Sequence, residues 1–211
     1  MPDVLPIFPL QLVVFPGEQV NLHIFEPRYK QLIRDCEEAG ATFVIPPFIR
    51  GKLMHLGTEV GLVDITKRYD NGEMDITVEG KGIVSLSNIT NPLPAKLYSG
   101  AGIRPFEVEL NENPDTNNRI LKLLYMLFFI LKIDKPLPAK EHPSLSYAIG
   151  HLVGFSIEKE FHLLSLHSGL DRQAYILEHL GKLVPHVREM EEMKHRVQMN
   201  GHYRHLNPPN F

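Results

Sequence analysis

The sequence predicts an α+β fold in which a small twisted or closed β-sheet with one helix is followed by an α-helical bundle. Up to about residue 110, short apolar segments stand between turn residues, which is typical of β-strands. After the polar segment 111–118, apolar residues recur every three to four positions, as in amphipathic helices. This change of period predicts a β-rich domain at residues 1–112, a helical domain at 113–200 and a disordered tail at 201–211.

Prolines and glycines divide the first half into strand-length segments, because proline removes a ladder donor and is confined to strand edges and turns. Asp70-Asn71-Gly72 predicts a hairpin, since Asn-Gly supplies the two positive-φ residues of a type I′ turn. After this turn, Met74, Ile76 and Val78 alternate with polar residues, which indicates a half-buried strand. Strands are predicted at residues 5–10, 20–24, 42–46, 58–66, 73–78, 83–87 and 98–104.

One helix is predicted in the first half, at residues 28–39. Pro27 suits the first turn of a helix, and Gly40 suits the position after the last turn. The apolar positions i, i+3, i+4 and i+7 define a buried face made of Tyr29, Leu32, Ile33 and Cys36. Cys36 is the single cysteine of the chain, so no internal disulfide can form, and a reducing cytoplasm is the expected location.

Four helices are predicted in the second half, at residues 118–133, 144–153, 156–167 and from 171 onward. Ser144, Ser156 and Asp171 are the expected N-caps of the last three helices. Pro185 lies within the apolar stripe of the last and longest helix, where it predicts a kink or a break.

Two apolar stretches of the helical half indicate whether the protein associates with a membrane or with a second copy of itself. The run at residues 123–131 is far shorter than the ~20 residues that span a bilayer, so it predicts a buried helix and no membrane association. Near the end of the long helix, Met190, Met193 and Val197 form a thin apolar line on an otherwise charged surface. This line is compatible with either a monomer or a dimer.

The composition is that of an ordinary globular protein. The 211 residues suffice for one large or two small domains, and 43% of them are apolar. A formal charge of -3 gives no overall attraction to nucleic acid phosphates. Lys67-Arg68-Tyr69, beside the hairpin, is a lone basic-aromatic triplet that keeps RNA binding open as an alternative function.

The motifs of catalysis are missing from the sequence. No lysine is followed by Ser or Thr, so the phosphate-binding loop of an ATPase is excluded. There is no Gly-x-Ser-x-Gly motif, no His-Glu-x-x-His and no pair of cysteines. The sequence therefore predicts no catalytic residue, no cofactor and no metal site, although a hydrolase with a dispersed serine dyad stays open as a third alternative.

Several ordered segments resemble the N-terminal, substrate-binding domain of the ATP-dependent Lon proteases. The opening strand, first turn and helix start of that family are similar to Leu5-Pro-Ile-Phe-Pro-Leu10, Val14-Phe-Pro-Gly17 and Leu22-His-Ile-Phe-Glu-Pro-Arg-Tyr29. Later strand landmarks are similar to Gly57-Thr58, Asp70-Asn71-Gly72 and Val78-Glu-Gly80. The chain departs from the family at Lys81-Gly-Ile-Val84, where the family has an arginine-aromatic-arginine strand.

The resemblance implies a fold and a function. The fold would be a small β-barrel like that of pseudouridine synthases and archaeosine transglycosylases (PUA-like), followed by a helical bundle that ends in a long helix. The function would be recognition of exposed or unfolded protein segments, without catalysis. The chain looks like that module alone, without the ATPase and Ser-Lys protease domains, so a separate protease or ATPase is an expected partner.

Four residues are the candidate peptide-binding site: Arg28, Phe48, Ile49 and Met54. Phe48 and Ile49 follow two prolines that end the preceding strand, so with Met54 they can form an exposed apolar loop. The alternative is that these side chains fold back onto the barrel.

Arg28 also has two interpretations. It can line the peptide groove, or it can tie the first helix to the barrel while Glu26 caps that helix and Tyr29 fills the core.

Overall fold

The computed structural model describes residues 4–202, which form eight strands and five helices. The strands are β1 (Val4–Pro6), β2 (Gln19–Ile24), β3 (Phe43–Ile45), β4 (Phe48–Ile49), β5 (Lys52–Leu53), β6 (Leu56–Arg68), β7 (Met74–Thr90) and β8 (Gly100–Pro105). The helices are α1 (Pro27–Ala39), α2 (Pro114–Leu131), α3 (Leu145–Ala148), α4 (Ile157–Ser165) and α5 (Gly169–His202). The predicted α+β class and the long last helix are confirmed.

Six strands form one antiparallel sheet in the order β1-β8-β7-β6-β3, and β2 also pairs with β7. β7 is a single strand of 17 residues that replaces two predicted ones. Its first part pairs with β2 and its last part with β8, so one strand serves two neighbours in succession.

The sheet is open, so the closed barrel implied by the resemblance does not form. Its two ends meet only through isolated parallel bridges, Ile7 with Val44 and Leu10 with Pro47. The N–H of Phe8 donates to the carbonyl of Val44 at 2.8 Å. Further along, the N–H of Leu10 donates to the carbonyl of Pro46 at 3.3 Å, and the carbonyl of Leu10 accepts from the N–H of Phe48, while Pro46 has no N–H to donate.

The hairpin predicted at Asp70-Asn71-Gly72 joins β6 and β7, but its turn differs from type I′. Gly72 has a positive φ of 76°, whereas Asn71 does not. The carbonyl of Tyr69 accepts from the N–H of Gly72, and the Asn71 side chain accepts from the N–H of Glu73 at 3.1 Å. This three-residue loop is a type I turn followed by a left-handed glycine. Asn71 acts through its side chain, not through an unusual backbone conformation.

α1 matches its prediction to within one residue. Gly40 adopts the left-handed conformation with φ of 61°, and its N–H donates to the carbonyl of Cys36. The four predicted apolar residues are buried and pack in the cluster beneath the helix. Burial raises the pKa of the Cys36 thiol to about 11, which keeps the thiol protonated and favours a packing role.

The helices of the second half differ from prediction mainly at their ends. α2 begins four residues early because Asn113 caps it, accepting from the backbone N–H groups of Asp115 and Thr116 at 2.9 and 3.0 Å. α3 is a single short turn, and the side chains of Ser144 and Ser156 make no cap hydrogen bond.

α5 begins two residues before the predicted cap, Asp171, and continues through Pro185, so no break occurs there. The predicted tail at 201–211 lies outside the described residues except for its first two positions, which belong to α5.

The largest buried cluster contains residues from both halves of the chain. Phe15, from the loop before β2, stacks on Tyr147 of α3 with ring centroids 5.6 Å apart. A Cβ added to Gly150 would lie 2.3 Å from the Phe15 ring, so this contact requires a glycine. The helices therefore pack directly on the sheet, while the domain division at 112 and 113 stays a proposal.

Candidate functional site

The predicted apolar loop is a two-stranded hairpin, β4–β5, with a fixed backbone. Its turn consists of Arg50 and Gly51, whose φ angles of 49° and 77° are those of a two-residue type I′ turn. The N–H of Phe48 donates to the carbonyl of Leu10 at 2.7 Å, and the N–H of Met54 donates to the carbonyl of Pro47 at 2.9 Å. The first bond joins the hairpin to the segment before β2, and the second closes the base of the hairpin itself.

The three apolar candidates of this hairpin have different environments. Phe48 is 38% exposed, whereas Ile49 is only 6% exposed and Met54 is half-buried. Ile49 therefore follows the alternative interpretation and folds back onto the protein. Phe48 is the member of the set that presents an aromatic surface to solvent.

An ion pair fixes the turn of the hairpin to the helical half. The Nε of Arg50 donates to Oε1 of Glu158, in the first turn of α4, at 2.7 Å. A backbone hydrogen bond holds the pKa of Glu158 below its ordinary value, with further contributions from the Ser156 hydroxyl and the Arg50 guanidinium. The sequence carries no sign of this contact, because 108 positions separate the two residues.

Arg28 is engaged at the start of α1. Its Nη2 lies 2.6 Å from Oε2 of Glu26, and its guanidinium lies 4.8 Å from the centroid of the Tyr29 ring. Tyr29 is buried as expected, but the Glu26 side chain makes no cap hydrogen bond and Arg28 does not tie α1 to the sheet. Among the described residues, no hydrogen bond, ion pair or ring contact joins Arg28 to the hairpin. Its role in binding stays a prediction.

A second apolar surface lies on α2, where the sequence predicted a buried helix. We call Tyr125, Met126 and Phe129 the α2 outer face; their exposed fractions are 72%, 40% and 84%. The buried residues of α2 instead face α5 and the core: Ile120, Leu124, Leu127 and Phe128. A run apolar on every side of the helix, packed on one side only, must expose the rest. That uniform apolar character was the signal that the sequence interpretation missed.

The basic triplet beside the β6–β7 hairpin is held by neighbouring side chains. The Nη2 of Arg68 lies 2.6 Å from Oε1 of Glu37, and the Nζ of Lys67 lies 4.4 Å above the ring of Tyr69. The Glu37 carboxylate thus neutralises Arg68, and the Tyr69 ring covers Lys67. The triplet therefore gives no support to the RNA-binding alternative.

Membrane insertion and metal binding are two other functions to consider for residues 4–202. None of these helices combines the length and apolar character needed to cross a membrane. Within the same range, no group of three or more His, Cys, Asp or Glu side chains is arranged to hold a metal ion.

Comparisons with known proteins agree with the architecture. Solved structures that share the fold include the following two, whereas no curated protein matches the chain. A Lon N-terminal domain protein from Xanthomonas campestris has a TM-score of 0.65 at 21% identity, covering 83% of this chain and 98% of that one. The N-terminal domain of the Mycobacterium avium complex Lon protease has a TM-score of 0.63 at 13% identity, covering 86% and 100%.

The family model of the ATP-dependent protease La (LON) substrate-binding domain matches residues 4–182, which is most of the chain. The match spans the open sheet, the β4–β5 hairpin, α1 to α4 and the first part of α5. The chain therefore belongs to the Lon substrate-binding domain family.

Proposed function

We propose that this chain is a non-catalytic module that recognises exposed or unfolded segments of other proteins. The observation that carries the proposal is the match of residues 4–182 to a substrate-binding domain. The sequence supports it, since it has neither the phosphate-binding loop of an ATPase nor a Gly-x-Ser-x-Gly nucleophile motif. A separate protease or ATPase as partner and a cytoplasmic location are parts of the same proposal.

Phe48 is the proposed centre of the binding surface. Its ring is partly exposed on a hairpin whose first strand is hydrogen-bonded to Leu10 and whose turn is paired with α4. A preformed loop loses little conformational entropy on binding, so one exposed aromatic ring contributes more affinity there than on a flexible segment. Micromolar affinity, about −8 kcal/mol, is expected for such a contact.

The test is fluorescence anisotropy of labelled peptides from unfolded proteins, titrated with the full chain at two salt concentrations. We expect saturable binding that persists at the higher salt, because apolar contacts are not screened. Phe48→Ala should weaken binding about tenfold, or by about 1.4 kcal/mol, an effect that only a minority of interface residues reach.

The matched control is Phe25→Ala, which removes a ring that is 58% exposed elsewhere on the sheet half. This variant should bind like the unsubstituted chain. Unchanged affinity of Phe48→Ala would remove the hairpin from the site, and absence of binding to every peptide would contradict the function itself.

A further inference from the structure

We infer that the α2 outer face is a second docking surface, and that it binds a helical segment of another protein whose apolar face is edged by acidic residues. The surface lies on the helical half and shares no residue with the Phe48 hairpin. The inference is therefore independent of the proposed function and is tested separately from it.

The geometry of the α2 outer face is that of an anchor site. Tyr125 and Phe129 stand four positions apart, so their rings lie on the same side of the helix. Together with Met126, Ile130 and the stems of two cationic side chains, they line a shallow cleft of about 460 Å³. A cleft of this kind accepts apolar side chains spaced three or four positions apart on a partner helix.

The charges at the cleft select the kind of partner. The two charged residues of its lining are both cations, Lys122 and Arg188. Neither makes an ion pair with any residue of the described range, although Glu189 and Glu192 lie nearby along α5 without lining the cleft. An apolar floor between two unpaired cations is complementary to an apolar segment with carboxylates at its edges.

The same charges argue against a second copy of this chain. A two-fold contact uses the same patch on both copies, so it would bring Lys122 and Arg188 of one copy against those of the other. Like charges that approach in a desolvated contact oppose association. The occupant that fits is therefore a segment of a different protein.

The test uses two fluorescein-labelled synthetic helices that share one leucine face and differ only in their flanking residues, which are Glu in one and Lys in the other. In anisotropy titrations with the full chain, the Glu peptide should bind at least about tenfold more tightly than the Lys peptide. Phe129→Ala should weaken binding of the Glu peptide at least about tenfold. The double variant K122E/R188E should reverse the preference.

The controls separate this surface from the hairpin. Phe48→Ala and Phe25→Ala should leave affinity for the Glu peptide unchanged. The substituted side chains at the α2 outer face are exposed, so circular dichroism melts should show the unsubstituted stability.

Three results would overturn the inference. They are equal affinity for the two peptides, no binding of the Glu peptide, and unchanged affinity in Phe129→Ala. Sedimentation that shows a dimer abolished by Phe129→Ala, without binding of the Glu peptide, would assign the surface to a second copy instead.

Discussion

The Nδ1 of His151 lies 2.8 Å from Oε1 of Glu160 on α4, and this contact is half of a clamp between the two parts of the protein. The Nε2 of the same ring lies 3.2 Å from Oε2 of Glu18, at the turn before β2. Burial alone would lower the pKa of His151, but hydrogen bonds with Glu160 and Glu18 outweigh it and raise the pKa to about 9. The imidazolium therefore joins a sheet-side carboxylate to a helix-side one.

The clamp makes stability depend on pH. Because the folded pKa lies above the unfolded value, this contribution is complete below about pH 6.5 and is lost as pH rises through about 9. We expect His151→Gln to remove on the order of 2 kcal/mol at neutral pH and to flatten the profile. Urea unfolding from pH 6 to 10 measures this, with His186→Gln, at an exposed position, as control. If the unfolding free energy of His151→Gln ran parallel to that of the unsubstituted chain across this pH range, the clamp would be contradicted.

Arg172 is expected to be among the most sensitive positions of the helical half. It is fully buried, and its Nη2 donates to the carbonyl of Glu109 at 2.7 Å while its Nη1 donates to the carbonyls of Leu166 and His167. Arg172→Ala leaves these carbonyls without a partner, so we expect a loss of about 3–5 kcal/mol in unfolding free energy. Arg172→Lys should recover little of this stability, since the single ammonium group of lysine cannot reach all three carbonyls. A loss below 1 kcal/mol would show that water replaces the guanidinium.

Gly150 and Gly181 form a matched pair for testing the packing between sheet and helices. An added Cβ meets the Phe15 ring at the first position and nothing within 4 Å at the second. Gly150→Ala should cost about 1–3 kcal/mol through overpacking. Gly181→Ala should stabilise the long helix by up to about 1 kcal/mol. Thermal melts of both variants check this, and equal shifts would mean that Phe15 moves aside freely.

Phe48 and Ile49 should separate binding from stability. Ile49→Ala empties a buried position and should lower the unfolding free energy by about 2–4 kcal/mol. Phe48→Ala removes a partly exposed ring and should cost less than about 1.5 kcal/mol while it weakens peptide binding. Chemical denaturation combined with peptide titration measures both quantities, and the assignment fails if the two variants lose affinity in proportion to stability.

Features with local causes were predictable from the sequence. α1 is an example, because Pro27 begins it, Gly40 ends it and the buried positions between them repeat with the helical period. The β6–β7 hairpin was likewise placed correctly by Asn71 and Gly72, although its turn type was not.

Features that depend on distant partners were not predictable. The contact of Arg50 with Glu158 joins the hairpin to α4. Nothing in the sequence around either residue indicates that the two are in contact. The outward position of Phe129 depends on which side of α2 meets α5, and an apolar run cannot reveal that choice. The isolated bridges between the two ends of the sheet join residues far apart in sequence, so only the tertiary structure defines them.

The pairing of β1 with β8 has a consequence for how the chain folds while it is being synthesised. Val4 pairs with Gly102, whereas the β6–β7 hairpin joins neighbours in sequence. Closing a long loop costs more entropy than closing a short one, so we expect the hairpin to form first and the N-terminal strand to be added last. On the ribosome, β1 emerges before β8 and lacks this partner strand until β8 has left the exit tunnel. The strand that precedes all others of the sheet in sequence is thus the last to be protected from aggregation.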